Sequence, residues 1–152
     1  MRKILVTGGL GFIGSHTVVE LQQADYEVVI IDNLYNSKIE VLDSITSITG
    51  VKPSYFNIDL RDKIAVEDFF KINKIDGIIH FAASKAVGES VNNPLLYYEN
   101  NISTLVYLLQ EMKKHKLSNF IFSSSCTVYG QADELPITEN APTKPAESPY
   151  GN

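Results

Sequence analysis

The sequence is poor in the residues that mark secreted, disulfide-bonded and metal-binding proteins. Its 152 residues contain one cysteine, three histidines and no tryptophan. A single thiol, Cys126, excludes an intrachain disulfide, and no His, Cys or carboxylate spacing indicates a metal site, so we expect no metal. No apolar run has the length of a membrane span, and no signal peptide precedes the first strand. These absences favour a cytoplasmic protein.

Basic residues are also scarce. The 13 Lys and Arg residues are outnumbered by 18 Asp and Glu, which gives a net charge of -5. This balance disfavours nucleic acid or an anionic membrane as a partner. It permits a phosphate ligand if a pocket supplies backbone N–H groups and a helix dipole. A chain of this length fits one domain with its own core.

Short apolar runs alternate with longer segments of helical period. The runs read as strands buried on both faces of a parallel sheet: Ile4–Thr7, Val28–Asp32, Ser54–Ile58, Gly77–Ala82 and Phe120–Ser124. Between them the pattern predicts helices over about 11–23 and 38–48, one after Asp62, and a long one opening at Asn93-Pro94. Repeated βαβ units predict an α/β fold, a Rossmann-type doubly wound parallel sheet of about five strands in the order 3-2-1-4-5. A long loop is expected after Gly130.

Glycines follow the first strand at positions 8, 11 and 14 and open the first helix. Gly8 would permit the tight turn, Gly11 would let the backbone approach a pyrophosphate, and Gly14 would let the helix pack against the strand. The helix N-terminus would supply free N–H groups to the phosphates. The pattern therefore predicts a dinucleotide site.

A carboxylate, Asp32, ends the second strand eighteen residues after Gly14. This position suits a contact with the adenosine ribose hydroxyls, and its charge would repel a 2′-phosphate, which favours NAD over NADP. The alternative is a strand-terminal Asp that caps a turn. Asp59, after the third strand, is placed either for the adenine edge or for a helix cap.

Two segments near the end of the chain carry hydroxyl groups. The fifth strand ends in Ser123, Ser124 and Ser125, at the edge where ligands of open α/β sheets bind, although serines there also form turns. Ser148 and Pro149 are suited to the N-cap and first position of a helix, which would place Tyr150 in its first turn.

With these segments the chain resembles the extended short-chain dehydrogenase/reductase family, whose signature is a glycine-rich first turn, a Ser or Thr after the fifth strand and Tyr-x-x-x-Lys. Its similarity is greatest to the 4-epimerases of UDP-hexoses. The matching segments include Val6–Gly9, Gly14–Thr17, Asp32–Leu34, His80–Ala82, Lys85–Ser90 and Phe120–Gly130. The Lys85–Ser90 segment is the most specific of them. Related dehydratases have Asp-Glu where this chain has Cys126-Thr127, which disfavours dehydration.

The resemblance implies a reversible interconversion of UDP-glucose and UDP-galactose with tightly held NAD. Tyr150, as phenolate, would take the proton of the sugar 4-hydroxyl while hydride leaves C4. Ser125 would hydrogen-bond the 4-oxygen, with Thr127 as a helper. Because a tyrosine has an ordinary pKa of about 10, a neighbouring cation must stabilise the phenolate.

The family's lysine falls four residues after the tyrosine, which would be position 154, and the sugar-binding C-terminal region is also missing from these residues. We therefore expect residues 1–152 to be the NAD-binding Rossmann domain at the front of a larger enzyme, inactive alone. The larger enzyme would bind a UDP-hexose and is expected to form a homodimer. Two alternatives stay open, another sugar-nucleotide 4-epimerase and a non-catalytic NAD-binding module.

The expected catalytic residues are Ser125, Tyr150 and Thr127. The expected cofactor-binding residues, several of them implied by the resemblance, are Gly8, Gly11, Phe12, Ile13, Gly14, Asp32, Asn33, Asn36, Ser37, Asp59, Leu60, Phe81, Ala82, Ala83, Lys85, Asn100 and Tyr150.

Structural roles are predicted for the remaining conspicuous side chains. His80 is expected to be a hydrogen-bonded core histidine, His16 structural, His115 solvated, and Cys126 a small buried thiol. Tyr97 and Tyr98 are expected to pack.

Overall fold

The computed structural model describes residues 1–152 and contains one five-stranded sheet with helices on both faces. The strands are β1 (Lys3–Thr7), β2 (Glu27–Ile31), β3 (Ser54–Phe56), β4 (Gly77–His80) and β5 (Phe120–Phe122). Their order is β3-β2-β1-β4-β5, and every neighbouring pair is parallel. The predicted fold class and strand order are confirmed.

Four strands end earlier than predicted, at the edge where their carboxyl ends meet. Asp32 and Phe81 lie just beyond β2 and β4, and each makes one more ladder bond: Asp32 N donates to Phe56 O at 3.3 Å and Phe81 N to Thr7 O at 3.0 Å. Ser123 N likewise donates to His80 O at 3.1 Å. Apolar content predicted these residues as strand, but the chain leaves the ladder here to form loops.

The helices are α1 (Phe12–Gln23), α2 (Val41–Thr49), α3 (Lys63–Ile72), α4 (Val87–Asn92), α5 (Pro94–Tyr97) and α6 (Thr104–His115). A π-helical turn, Tyr98–Ser103, joins α5 to α6, so the long helix predicted from Pro94 is present with a wider turn inside it. Helix α4 was not predicted, and α2 begins later than expected. A short 3-10 helix covers Cys126–Tyr129.

Helix starts differ in how they are capped. The Asp62 side chain accepts hydrogen bonds from Ile64 N and Ala65 N, both at 3.1 Å, and so caps α3. Asn93 occupies the predicted cap position before Pro94, but its side chain makes no capping bond. That capping expectation is wrong.

The core lies on both faces of the sheet, because successive side chains of a strand point to opposite sides. On one face Leu5, Val29 and Ile78 pack against buried residues of α3 and α6. On the other, Val6, Val28 and Ile30 pack with α1 and α2. Burial on both faces explains the continuously apolar strands.

The structure confirms the roles predicted for His80 and Tyr97 and contradicts the one predicted for Cys126. His80 is 2% exposed, and its Nδ1 lies 2.6 Å from Thr7 Oγ1, which confirms a satisfied core histidine. Tyr97 is buried, as packing requires. Cys126 is exposed, so the buried-thiol prediction is wrong; the 3-10 helix turns it outward.

A long loop follows Gly130, as predicted, with neither helix nor strand through the remaining residues. Residues 149–151 form a turn, so the helix expected at Tyr150 is absent here. The predicted cap geometry is nevertheless present, since Ser148 Oγ accepts a hydrogen bond from Gly151 N at 3.3 Å. None of the helices combines the length and apolar content needed to cross a membrane.

Candidate functional site

A cleft of about 460 Å³ lies at the carboxyl edge of the sheet. The segments after all five strands contribute to it, together with the start of α1 and the π-helical turn. In open α/β sheets this edge is the usual place for a ligand, because the loops diverge there.

The loop between β1 and α1 requires glycine at two positions. Gly8 has φ +66°, and a Cβ there would lie 2.8 Å from Ala82 N. A Cβ on Gly14 would collide with the carbonyl oxygen of Gly8 and lie 2.9 Å from Gly9 Cα. The first helix can therefore approach β1 closely only with glycine at position 14.

Helix α1 directs its free N–H groups into the cleft. It begins at Phe12, so the N–H groups of Phe12, Ile13 and Gly14 have no intrahelical acceptor. The N-cap residue, Gly11, has no side chain to satisfy them. Together with the helix dipole they form a site for an anionic group.

Asp32 connects two loops of the cleft, the one after β1 and its own after β2. It is 8% exposed; its Oδ2 accepts from Leu10 N at 3.0 Å, and its Oδ1 accepts from Leu34 N at 3.0 Å and from Ser37 Oγ at 2.7 Å. The turn-capping alternative is thus realised at the Leu34 N–H. The carboxylate still lines the cleft, with acceptor capacity left on Oδ2.

Asp59 is held chiefly by Arg61, a residue that the sequence analysis passed over. Arg61 donates to both carboxylate oxygens, with its closest contact at 2.6 Å, and Asn33 Nδ2 lies 3.2 Å from Oδ2. The hydrogen bond from the Arg61 guanidinium lowers the pKa of Asp59 to about 2. This pair fixes the loop after β3, and an adenine contact by Asp59 stays a prediction.

The π-helical turn brings two asparagines to the loop after β4. Asn101 Oδ1 accepts from Ser84 N at 2.8 Å, and Asn101 Nδ2 donates to Ser84 O at 2.9 Å. Asn100 Nδ2 donates to Ser84 Oγ at 3.0 Å. Two adjacent residues of the π-helical turn thus hold one residue of the loop. The neighbouring Lys85 is thereby placed at the cleft with its side chain exposed.

Ser125 and Thr127 contact each other and lie outside the lining of the cleft. Ser125 Oγ accepts from Thr127 N at 3.3 Å and lies 2.9 Å from Thr127 Oγ1. The lining residues from this segment are instead Ser123 and Ser124. The catalytic roles of Ser125 and Thr127 therefore stay predictions.

Tyr150 lines the cleft from the final turn of the chain. Its N–H donates to Ser90 Oγ at 3.3 Å, and its ring packs edge to face on Tyr97 with centroids 6.2 Å apart. The structure thus brings the tyrosine to the glycine-rich turn across more than 130 residues of sequence.

Every residue that the sequence analysis assigned to cofactor binding lines this one cleft. Their individual contacts stay predictions. The lining residues that sequence reasoning missed are Ile31, Tyr35, Ile58, Arg61, Ser84, Leu96 and Thr104, whereas Ser123 and Ser124 belong to the serine cluster expected at this edge. Of these, Arg61 carried a signal, since it falls two residues after a strand-end Asp and can close a local ion pair.

A parallel sheet in this order, a glycine-rich first turn and a carboxylate after β2 define a dinucleotide-binding Rossmann-type domain. The family model described as "NAD dependent epimerase/dehydratase family" matches residues 4–152, and the chain belongs to this family.

Similar proteins narrow the group further. The chain is 49% identical over 151 residues to the UDP-glucose 4-epimerase of Neisseria meningitidis serogroup B, covering 99% of this chain and 44% of that protein. The crystal structure of UDP-glucose 4-epimerase from Bifidobacterium longum in complex with NAD+ and UDP is 48% identical, with a TM-score of 0.93 over 99% of this chain and 45% of that one.

A third similar structure is that of an epimerase named for two sugars. The UDP-Glc/GlcNAc 4-epimerase of Campylobacter jejuni is 36% identical, with a TM-score of 0.90, and the match covers 99% of this chain and 45% of that one. The chain thus spans less than half the length of the relatives it matches.

Proposed function

We propose that this chain is the NAD-binding, N-terminal portion of a UDP-glucose 4-epimerase. The observation that carries the proposal is one cleft that combines the glycine turn, Asp32 and Tyr150 in a chain 49% identical to such an epimerase. The remaining length of those relatives would supply the sugar-binding region and the lysine expected four residues after Tyr150.

The residues of the cleft fit NAD. The free N–H groups at the start of α1 suit a pyrophosphate, and a Cβ at Gly14 would close the approach between α1 and β1. Asp32 retains acceptor capacity for a ribose hydroxyl, and its charge opposes a 2′-phosphate. When bound, NAD would accept hydride from the sugar C4 and return it to the other face.

Protein side chains would move the proton and hold the sugar oxygen. Tyr150, as phenolate, would accept the proton of the 4-hydroxyl and give it back at the end of the cycle. Ser125 would hydrogen-bond the 4-oxygen, with Thr127 fixing the Ser125 hydroxyl at 2.9 Å. In the structure described here Ser125 faces Thr127, so this role requires the sugar to enter beside the 3-10 helix.

A second candidate is a 4-epimerase that also accepts N-acetylated UDP-sugars. The similar Campylobacter jejuni structure, a UDP-Glc/GlcNAc 4-epimerase, favours it. Both candidates use the same NAD cleft, so a comparison of UDP-galactose with UDP-N-acetylgalactosamine as substrates distinguishes them.

The setting we propose is cytoplasmic galactose metabolism, with the complete enzyme a homodimer. An exposed apolar stripe runs along α5, the π-helical turn and α6, formed by Leu95, Ile102, Val106 and Leu109, which are 78%, 48%, 42% and 44% exposed. A stripe of this kind supports self-association. Light scattering of the complete protein measures the mass directly.

The test uses the complete protein that contains this chain. It should convert UDP-galactose to UDP-glucose and release NAD on denaturation. Tyr150→Phe keeps the ring and removes the proton acceptor, so turnover should fall by at least about 10²-fold while NAD stays bound. Near-normal turnover in Tyr150→Phe, or the absence of NAD, would contradict the proposal.

A further inference from the structure

Two buried residues, Ser90 and Tyr97, contact Tyr150 from α4 and α5. Ser90 is fully buried and Tyr97 is 1% exposed. Neither residue lines the cleft, so neither is placed to touch a ligand there. Both contact Tyr150, which lies 60 residues further along the chain than Ser90.

The Ser90 hydroxyl serves two partners. Its Oγ donates to Val87 O at 2.7 Å, which fixes the rotamer, and accepts from Tyr150 N at 3.3 Å. The Tyr150 N–H lies in the turn 149–151 and makes no backbone hydrogen bond. Ser90 satisfies this group from a distant element, whereas Ser148 satisfies only Gly151 N.

Tyr97 supports the ring of Tyr150 and is itself anchored at its far end. The two rings pack edge to face, at an interplanar angle of 73°. The Tyr97 hydroxyl accepts from Ala86 N at 2.9 Å and lies 2.7 Å from Glu89 Oε2, to which it can donate. The phenol therefore ties Tyr97 to the same Lys85–Ser90 segment that carries the Ser90 hydroxyl.

We propose that Ser90 and Tyr97 are positioning residues for Tyr150: one fixes its backbone N–H and the other its ring. The inference rests on the proposed function and deepens it, because it assigns a role to the Lys85–Ser90 segment beyond Lys85. The proton acceptor is aligned by α4 and α5 and not by its own turn alone.

The experiment measures kcat, KM for UDP-galactose and bound NAD in the complete protein and its Ser90→Ala, Tyr97→Phe and Tyr97→Leu variants. Small displacements of a reacting group are costly, so kcat should fall about tenfold in Ser90→Ala and Tyr97→Phe, and further in Tyr97→Leu. The Phe variant keeps the ring contact, so it should retain more activity than Leu. KM and bound NAD should stay within about twofold, since neither residue touches a ligand.

Matched controls remove the same groups elsewhere. Ser47→Ala deletes an α2 hydroxyl that also bonds a backbone carbonyl, and Tyr107→Phe deletes a phenol hydroxyl on α6. Both control variants should have the same kcat as the unaltered protein. Unchanged kcat in Ser90→Ala and Tyr97→Phe, or a fall matched by an equal loss of bound NAD, would overturn the positioning role. No turnover in the unaltered protein would contradict the proposed function and this inference with it.

Discussion

The Asp32 carboxylate accepts three hydrogen bonds in the cleft. Its oxygens accept from Leu10 N, Leu34 N and Ser37 Oγ, so the carboxylate fixes the glycine-rich loop and its own loop together. The same negative charge would face the 2′-position of an adenosine ribose in the cleft. One side chain would thus both hold the two loops together and favour NAD over NADP.

Asp32→Ala should narrow the preference for NAD over NADP. An unrelieved charge clash with a 2′-phosphate amounts to about 2 kcal/mol, so the unaltered protein should bind NAD about 30-fold more tightly. Calorimetric titration with each cofactor measures both affinities. Asp43→Ala removes an exposed charge on α2 and should leave the ratio unchanged. Equal affinities in the unaltered protein would contradict the role given to Asp32.

Ser125→Ala should lower kcat by about 10²-fold with NAD still bound, the effect of losing one positioned hydrogen-bond donor. Thr127→Ala should lower kcat less, because in the proposed mechanism Thr127 would act only through the Ser125 hydroxyl, 2.9 Å away. Steady-state kinetics in the complete protein give both values, with the exposed Ser118→Ala as the control. A normal kcat in Ser125→Ala would show that the segment after β5 serves structure only.

Residues whose roles depend on local chemistry could be predicted from the sequence. Gly14 and Asp32 act within the first βαβ unit, where spacing alone places them. Ser90 and Tyr97 could not be assigned, because their partner Tyr150 is brought to them by the fold. The burial of Cys126 was predicted wrongly, since the direction of a side chain in a short 3-10 helix depends on the loops around it.

The start of α1 depends on close contact between a helix and a strand. Gly14→Ala would push a methyl group against the Gly8 carbonyl, and the loop that supplies the N–H groups would have to move. We expect a loss of about 1–3 kcal/mol in the free energy of unfolding and weaker NAD binding. Urea unfolding measures the first and calorimetry the second.

Gly88→Ala is the matched control for stability. A Cβ at Gly88 would meet nothing within 4 Å, and the residue lies in α4, where alanine is preferred over glycine. It should leave the free energy of unfolding unchanged or raise it by up to about 1 kcal/mol. If Gly14→Ala and Gly88→Ala have the same free energy of unfolding, the close contact between α1 and β1 does not require glycine at position 14.

Helices with long periodic patterns were predictable and the irregular ones were not. Helix α4 has six residues, too few for a period to show. The π-helical turn adds a residue to a turn inside a continuous helical pattern, and periodicity does not reveal where it falls. Yet this turn carries Asn100 and Asn101, which both bond to Ser84.

The sheet as a whole imposes a pH dependence on stability through His80. Burial lowers the pKa of this histidine from 6.5 to about 4. Between these values the unfolded chain binds a proton that the folded chain does not, so the free energy of unfolding falls as the pH decreases from about 6.5 to 4. The full loss from this group is about 3 kcal/mol.

Urea unfolding at several pH values checks this expectation against His80→Gln, which cannot titrate. The variant will differ in absolute stability, because its contact with Thr7 changes, but its stability should depend less steeply on pH between 6.5 and 4. Carboxylates titrate equally in both proteins and cancel in the comparison. If the free energy of unfolding depends equally on pH in both proteins, His80 has the same pKa in the folded and the unfolded chain, and the expectation is contradicted.

The strand order of the whole sheet could be predicted because right-handed βαβ units leave few arrangements. The position of the cleft could be predicted from the same topology, because all the loops that line it leave one edge of the sheet. The sheet and its loops do not include the region proposed to bind the sugar. Residues 1–152 by themselves should therefore show no epimerase turnover, in keeping with the relatives' greater length.

The most direct test of the account follows the hydrogen at C4 of the sugar. The complete protein is incubated with UDP-galactose deuterated at C4, and the UDP-glucose formed is analysed by mass spectrometry and NMR. If C4 is oxidised and reduced within one NAD-binding cleft, the deuterium should be retained at C4 of the product. Product that carries solvent hydrogen at C4, or no UDP-glucose at all, would contradict the assignment of this chain to an NAD-dependent 4-epimerase.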